Sequence, residues 1–264
     1  MRYNLITYLV LLVLISGIVS CSSGEKGSDG KKSESRKTET PAVTPESTSE
    51  NKASIEELEK RFLDNPASYT SASDLVSEYK RQNVPDKAIE TWDRFLKSAI
   101  GPDVERARID RAILLVEIGK KEDAYNELLK LAADENGKMR SEACFQLGNL
   151  IATGKIEVPE GDKTEIAIDY FKKALDFGQT DPLVYRRLAD LEYSKKNLDQ
   201  AREYLAIYLV VSPNDGESWM DLGNWSKEAG DYTRAREYYK RALENEREEI
   251  RKKAERAIRE LPQS

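Results

Sequence analysis

The chain has 264 residues with 42 basic and 48 acidic side chains, a net charge of −6, two cysteines and no histidine. The missing histidine removes the commonest general base, the Ser-His and Cys-His nucleophile pairs and the commonest zinc ligand. The acidic balance argues against nucleic acid as a partner, because a phosphate backbone is held by clustered bases.

In chain order, the first feature is an apolar run from Leu5 to Val19, 15 residues with Thr7 and Ser16 inside it. At about 1.5 Å per residue it reaches roughly 22 Å, short of a hydrocarbon core of about 30 Å. With Arg2 ahead of it and small residues behind, residues 1–20 read as a cleaved signal peptide. The run ends in Ile18-Val19-Ser20-Cys21, which resembles the bacterial lipobox. The resemblance implies that Cys21 is acylated on sulfur, becomes the first residue of the mature protein and holds it on a membrane. Aspartate after that cysteine implies retention in the inner membrane; Ser22 stands there instead, which points to the outer membrane, on its periplasmic face or at the cell surface.

Residues 21–52 carry the lipidation site and a spacer. From Ser22 to Lys52 the 31 residues hold six basic and six acidic side chains, and Val43 is the only large apolar one. Such a segment buries too little surface to offset its ordering entropy, so it is expected to be a disordered tether with a reach of roughly 30 Å. Residues 53–264 are long enough for one substantial domain, and from residue 53 onward 35 bases face 42 acids. Cys144 is the one thiol there and is expected to be a buried small hydrophobe rather than half of a disulfide.

This domain repeats itself. Tyr185-Arg186-Arg187-Leu188-Ala189-Asp190-Leu191 aligns with Trp219-Met220-Asp221-Leu222-Gly223-Asn224-Trp225, 34 residues on. Asp199 to Leu205 aligns with Thr233 to Tyr239 at the same offset. Trp219, Leu222, Gly223, Gly230, Ala235, Tyr239 and Ala242 fill the places that characterise the tetratricopeptide repeat, which this pattern resembles. Following the central alanine backwards gives Ala235, Ala201, Ala167, Ala124 and Ala88, at intervals of 34, 34, 43 and 36. The resemblance implies an all-α, right-handed superhelical solenoid of about five helix pairs. A lone helix over 53–65 is expected to cap its N-terminus. The stripe Ile250, Ala254, Ala257, Ile258 and Leu261 marks a closing helix at the other end. The 43-residue interval resembles the Sel1-like variant, with a longer loop from Gly154 to Asp162 expected to project from one edge.

Nothing in the chain reads as an enzyme. Its carboxylates sit four residues from bases, as Glu248 does from Lys252, which is ordinary helix support. No cofactor, metal site or small-molecule substrate is expected. In tetratricopeptide solenoids the first helix of each repeat lines a concave groove, and by register the partner-binding residues would include Lys80 and Arg81 in the first repeat. The second gives Arg106, Ile109, Ile113 and Val116, and the third Phe145 and Asn149. The fourth gives Leu183, Arg186, Asp190 and Tyr193, and the last Met220, Asn224 and Lys227. The face from Ile109 to Val116 is either groove or core. Residues 104–118 are apolar nearly all round, while Arg108 and Arg111 stand where the family is usually apolar. The expected function is a membrane-anchored scaffold of the bacterial cell envelope that holds a partner helix or peptide in this groove. The alternative is a surface-exposed lipoprotein contacting host or neighbouring-cell molecules.

Overall fold

The computed structural model describes residues 54–158 and 160–262. The signal peptide, Cys21 and the spacer lie outside them. Twelve α-helices follow one another, and among the described residues there is no strand. α1 (Ile55–Asp64) opens on a capping box. The Ser54 hydroxyl accepts from the Glu57 N–H at 3.3 Å, and the Glu57 carboxylate accepts from the Ser54 N–H at 2.9 Å. Five helix pairs follow: α2 (Tyr69–Arg81) with α3 (Pro85–Ser98), α4 (Asp103–Glu117) with α5 (Lys121–Ala133), and α6 (Arg140–Ala152) with α7 (Lys163–Asp176). Then come α8 (Leu183–Ser194) with α9 (Leu198–Val211) and α10 (Gly216–Glu228) with α11 (Tyr232–Leu243). α12 (Glu248–Arg259) closes the stack against α10 and α11. Each helix packs on its neighbours in sequence, as in a solenoid.

The pairs are held by one recurring contact. All five central alanines, Ala88, Ala124, Ala167, Ala201 and Ala235, are fully buried. Across from them the first helix also carries a small residue. A Cβ added at Gly148 would lie 2.9 Å from Cδ1 of Phe171, and one at Gly223 would lie 2.6 Å from Cδ1 of Tyr239. Where that second-helix place is filled by Leu128 or Leu205 instead of a ring, the first helix has Ala112 or Ala189. In these four pairs a ring faces glycine and leucine faces alanine; in the first pair Trp92 stands at the ring position and Val76 at the facing one.

Every turn inside a pair is built alike. Asn83, Gly119, Gly154, Lys196 and Gly230 have positive φ angles of 57°, 84°, 66°, 67° and 80°. In each turn the next residue's N–H returns to the helix: Lys120 to the Leu115 carbonyl at 2.9 Å, Asn197 to Glu192 at 2.9 Å, Asp231 to Ser226 at 2.9 Å. This Schellman geometry satisfies the last carbonyls of the first helix, and in four of the five pairs the second helix begins after three residues; between α6 and α7 the residues 153–162 intervene.

In the loop from Gly154 to Asp162, expected to project from one edge, Gly154, Lys155, Glu157, Glu160, Gly161 and Asp162 are exposed and one side chain turns inward. Ile156 is 1% exposed, and its N–H donates to the Leu150 carbonyl at 3.1 Å. Burying that side chain folds the start of the loop back onto α6, Glu157 pairs with Lys163, and the Asp162 carboxylate caps α7 through the Thr164 N–H at 2.8 Å. Cys144 is 1% exposed, and burial pushes its thiol pKa up, so the group stays a protonated, inert hydrophobe.

The turn geometry sets an expectation for stability. Lys196 adopts a left-handed conformation that costs a side-chain-bearing residue about 1 kcal/mol. Lys196→Gly should therefore leave stability equal or raise it by up to about 1 kcal/mol, while Gly230→Ala should lower it by about the same amount. Urea unfolding followed by circular dichroism reads both.

Candidate functional site

The first helices α2, α4, α6, α8 and α10 bring the sequence-derived groove residues into one row of successive helices, but not as one surface. Ile109, Val116 and Phe145 are 3%, 8% and 7% exposed. They belong to the packing between helices, with the Phe145 ring centroid 5.8 Å from that of Phe171. Side chains this far inside have little surface left for a partner, although Val116 also borders the crevice between α4 and α6. Ile113, Asn149, Arg186, Asp190, Tyr193, Met220 and Lys227 are half-buried, and Lys80, Arg81, Arg106, Leu183 and Asn224 are exposed.

Between α4 and α6 the row opens into a crevice of about 280 Å³. Its apolar walls are Ile113, Val116 and Leu150, and its mouth carries Glu117, Lys121 and Lys155. On the same helix as Leu150, the side-chain oxygen of Asn149 is buried and has no hydrogen-bond partner. A buried acceptor left unsatisfied costs about 1–3 kcal/mol, and a donor supplied by a ligand recovers it.

The charges along the row are largely neutralised from within. Lys80 Nζ is 2.9 Å from Glu117 of the next repeat, and Arg81 donates to Glu78 at 2.8 Å. The Arg106 guanidinium lies 4.5 Å from the ring centroid of Tyr69, whose hydroxyl donates to Asp110. Arg186 contacts Asp221 at 2.7 Å and Asp190 at 3.3 Å, and donates to the Ser218 hydroxyl at 2.6 Å. Ser218 in turn donates to Asp215 at 2.7 Å, which also accepts from Tyr208 at 3.1 Å. Tyr193 stacks on Trp225 with centroids 4.7 Å apart and donates to Glu228 at 3.0 Å. Asn224 accepts from the Tyr239 hydroxyl at 2.8 Å.

Burial pushes the Asp190 carboxyl pKa up, with Arg186 opposing it. Burial also opposes ionisation of Asp215, but hydrogen bonds from Ser218 and Tyr208 hold it below the usual range. Arg111 is explained by the same logic: it donates to Asp93 at 2.7 Å and to Glu127 at 2.6 Å, joining α4 to the second helices on both sides. Burial of Glu127 raises its pKa against the pull of Arg111. An arginine can stand at a usually apolar place because two carboxylates meet it there.

A row of paired helices with a half-open first-helix face defines a repeat scaffold that presents a surface. The chain carries tetratricopeptide repeats: the sequence pattern of that family matches residues 73–138 and 186–248. Solved structures share the fold. PilF of Pseudomonas aeruginosa is 24% identical over 71% of this chain and 80% of its own, with a TM-score of 0.56. PilW, described as a widely conserved type IV pilus biogenesis factor, is 19% identical over 75% and 87%, with a TM-score of 0.58. YrrB, described as a tetratricopeptide protein with an unusual peptide-binding site, is 14% identical over 77% and 100%, with a TM-score of 0.51. Among curated proteins, human protein O-mannosyl-transferase TMTC1 is 26% identical over 196 residues, and the alignment spans 21% of its length.

The network around Arg186 was missed from sequence, although it had a signal. Arg186 and Asp221 are 35 residues apart, as are Tyr193 and Glu228, and Lys80 and Glu117 are 37 apart. Polar partners offset by about one repeat stand side by side on successive first helices.

Replacing Arg186 with methionine removes the charge that offsets Asp190 and Asp221. Because Arg186 is 23% exposed, the cost is expected to be about 1–2 kcal/mol rather than that of a fully buried pair. Asp190 has a raised folded pKa, so its folded form is favoured when protonated and is penalised as pH rises through that pKa. The deficit of the variant should therefore be larger at pH 7.5 than at pH 4, as urea unfolding at the two pH values would show.

Proposed function

We propose that this chain is a lipid-anchored scaffold of the bacterial cell envelope, which holds a partner segment against its first-helix row. The observation that carries the reading is the crevice between α4 and α6, walled by Ile113, Val116 and Leu150. A partner side chain seated against Ile113 would remove apolar surface from water. Several charges along the row are paired within the chain and the crevice walls are apolar, so shape and apolar contact would select a ligand.

Membrane attachment through Cys21 rests on the lipobox-like Ile18-Val19-Ser20-Cys21. Outer-membrane placement rests on Ser22. An assembly or peptide-binding role is in keeping with PilF, PilW and YrrB, and the likeness of this chain to them is one of fold.

Two outcomes are expected. Cys21→Ala should abolish acyl labelling and move the protein from the membrane to the soluble fraction. Ile113→Asp places a charge in the crevice, at a half-buried position. It should keep the helical circular dichroism and lose a partner crosslinked in cells, while an exposed control such as Lys252→Asp keeps it. An unchanged crosslinked partner in Ile113→Asp would remove the crevice from the proposal. Protease shaving of intact cells separates the periplasmic from the surface-exposed form.

A further inference from the structure

We infer that one part of the solenoid's edge, carrying Leu63 and Ile100, rests in the headgroup layer of the membrane that the acyl chains of Cys21 occupy. The inference rests on the lipid anchor proposed above. Large apolar side chains are exposed at seven described positions, and five of them lie on one edge, where second helices end and first helices begin. These are Leu63 at 63%, Ile100 at 97%, Leu183 at 44%, Val210 at 50% and Val211 at 65%. Val84 and Tyr232 lie at the opposite edge, beside the turns inside the pairs.

Charge divides this edge. The linkers 65–68 and 99–102 contain no charged residue, and they hold Pro66 and Ile100 at places 34 residues apart, equivalent in successive repeats. Asp64, Lys97 and Asp103 flank them at the helix ends. The later linkers, 134–139, 177–182, 212–215 and 244–247, carry six acidic residues against Lys138 and Arg247. Only the N-terminal part of the edge can enter a headgroup region without desolvating its own linker charges or repelling anionic lipid.

The shape of the patch favours lipid over a protein partner. Ile100 is almost wholly exposed on the four-residue linker Ala99-Ile100-Gly101-Pro102, whereas protein hot spots sit in packed, desolvated pockets; Leu63, largely exposed, lines a cleft with Glu59, Tyr79, Lys87, Glu90 and Arg94. A protruding apolar tip needs a medium that closes around it, and a fluid interface does so. Reach allows it. The 32 residues from Ser22 to Ala53 end at the N-cap of α1, and α1 spans about 15 Å. On the composition-based expectation of a flexible spacer, roughly 30 Å of reach covers the remaining distance.

The test uses the full mature lipoprotein on vesicles of phosphatidylcholine and phosphatidylethanolamine. An environment-sensitive fluorophore is placed at Ile100→Cys or, as a control on the opposite edge, at exposed Ala229→Cys. Cys144 is buried and does not compete for the label. Nitroxide-bearing lipid chains should quench the probe at position 100 severalfold more than the probe at position 229. Added salt should not reverse this, because charge does not drive the contact. Equal, weak quenching at both positions on protein that stays vesicle-bound through its acyl chains overturns the inference and leaves the anchor intact. Protein that carries no acyl group and stays in solution overturns the anchor and this inference with it. A probe at position 100 that becomes shielded only when an envelope protein is added, without lipid quenching, makes the patch a protein-docking site and likewise overturns it.

Discussion

The close approach of two helices at a small residue is the constraint on which the rest of this structure depends. Ala88, Ala124, Ala167, Ala201 and Ala235 are each fully buried, and the first helix meets them with glycine, alanine or, once, valine at the facing register. A larger side chain at Gly148 would collide with Phe171, and one at Gly223 would collide with Tyr239. Displacing one helix of a pair also displaces the face it shows to the next pair. The contact that makes each repeat therefore also sets the spacing of the first-helix row on which any partner would lie.

The second layer of organisation is electrostatic and runs across repeats. Lys80 meets Glu117, Arg186 meets Asp221, and Tyr193 meets Glu228, each reaching from one first helix to the next. Arg111 does the same work between second helices through Asp93 and Glu127. Taken singly, exposed pairs of this kind contribute little; the half-buried ones at Arg111 and Arg186 matter more, because removing one partner strands the others. They restrain sliding of one pair over another, which apolar packing alone resists weakly, so that the row is largely formed before a partner arrives.

Much of this was legible in the sequence, and the reasons are physical. The pair spacing was readable because alanine is demanded wherever two backbones approach, and that demand recurs every 34 to 43 residues. The N-terminal cap followed from register, since Leu58 stands 34 residues before Trp92, and the closing helix from an apolar stripe that needs a neighbour: Leu58 and Phe62 are buried on α1, and Ile250 and Ala254 on α12. The inward turn of the loop after Gly154 was not legible, because one buried isoleucine, Ile156, makes it, and a single apolar residue in a polar loop carries no periodicity. The groove set was only partly legible. Periodicity places Ile109, Ile113 and Val116 on adjoining faces of α4, and it does not say how far neighbouring helices cover them. In the fold Ile109 and Val116 are buried and Ile113 is left half-open.

That partial coverage bears on what kind of ligand suits the row. A groove lined by unpaired charges would recognise an oppositely charged tail, and its affinity would fall steeply with salt. Several lysines and arginines along the row are engaged, Lys80 by Glu117, Arg81 by Glu78, Arg106 by the Tyr69 ring and Arg186 by three side chains, while Lys121 and Lys155 border the crevice itself. What remains open is a short crevice with apolar walls. A partner fitting that arrangement needs an apolar anchor, supplied by an amphipathic helix or an extended segment. Binding through this crevice should therefore depend on the chemistry of one or two partner residues far more than on the net charge of either protein.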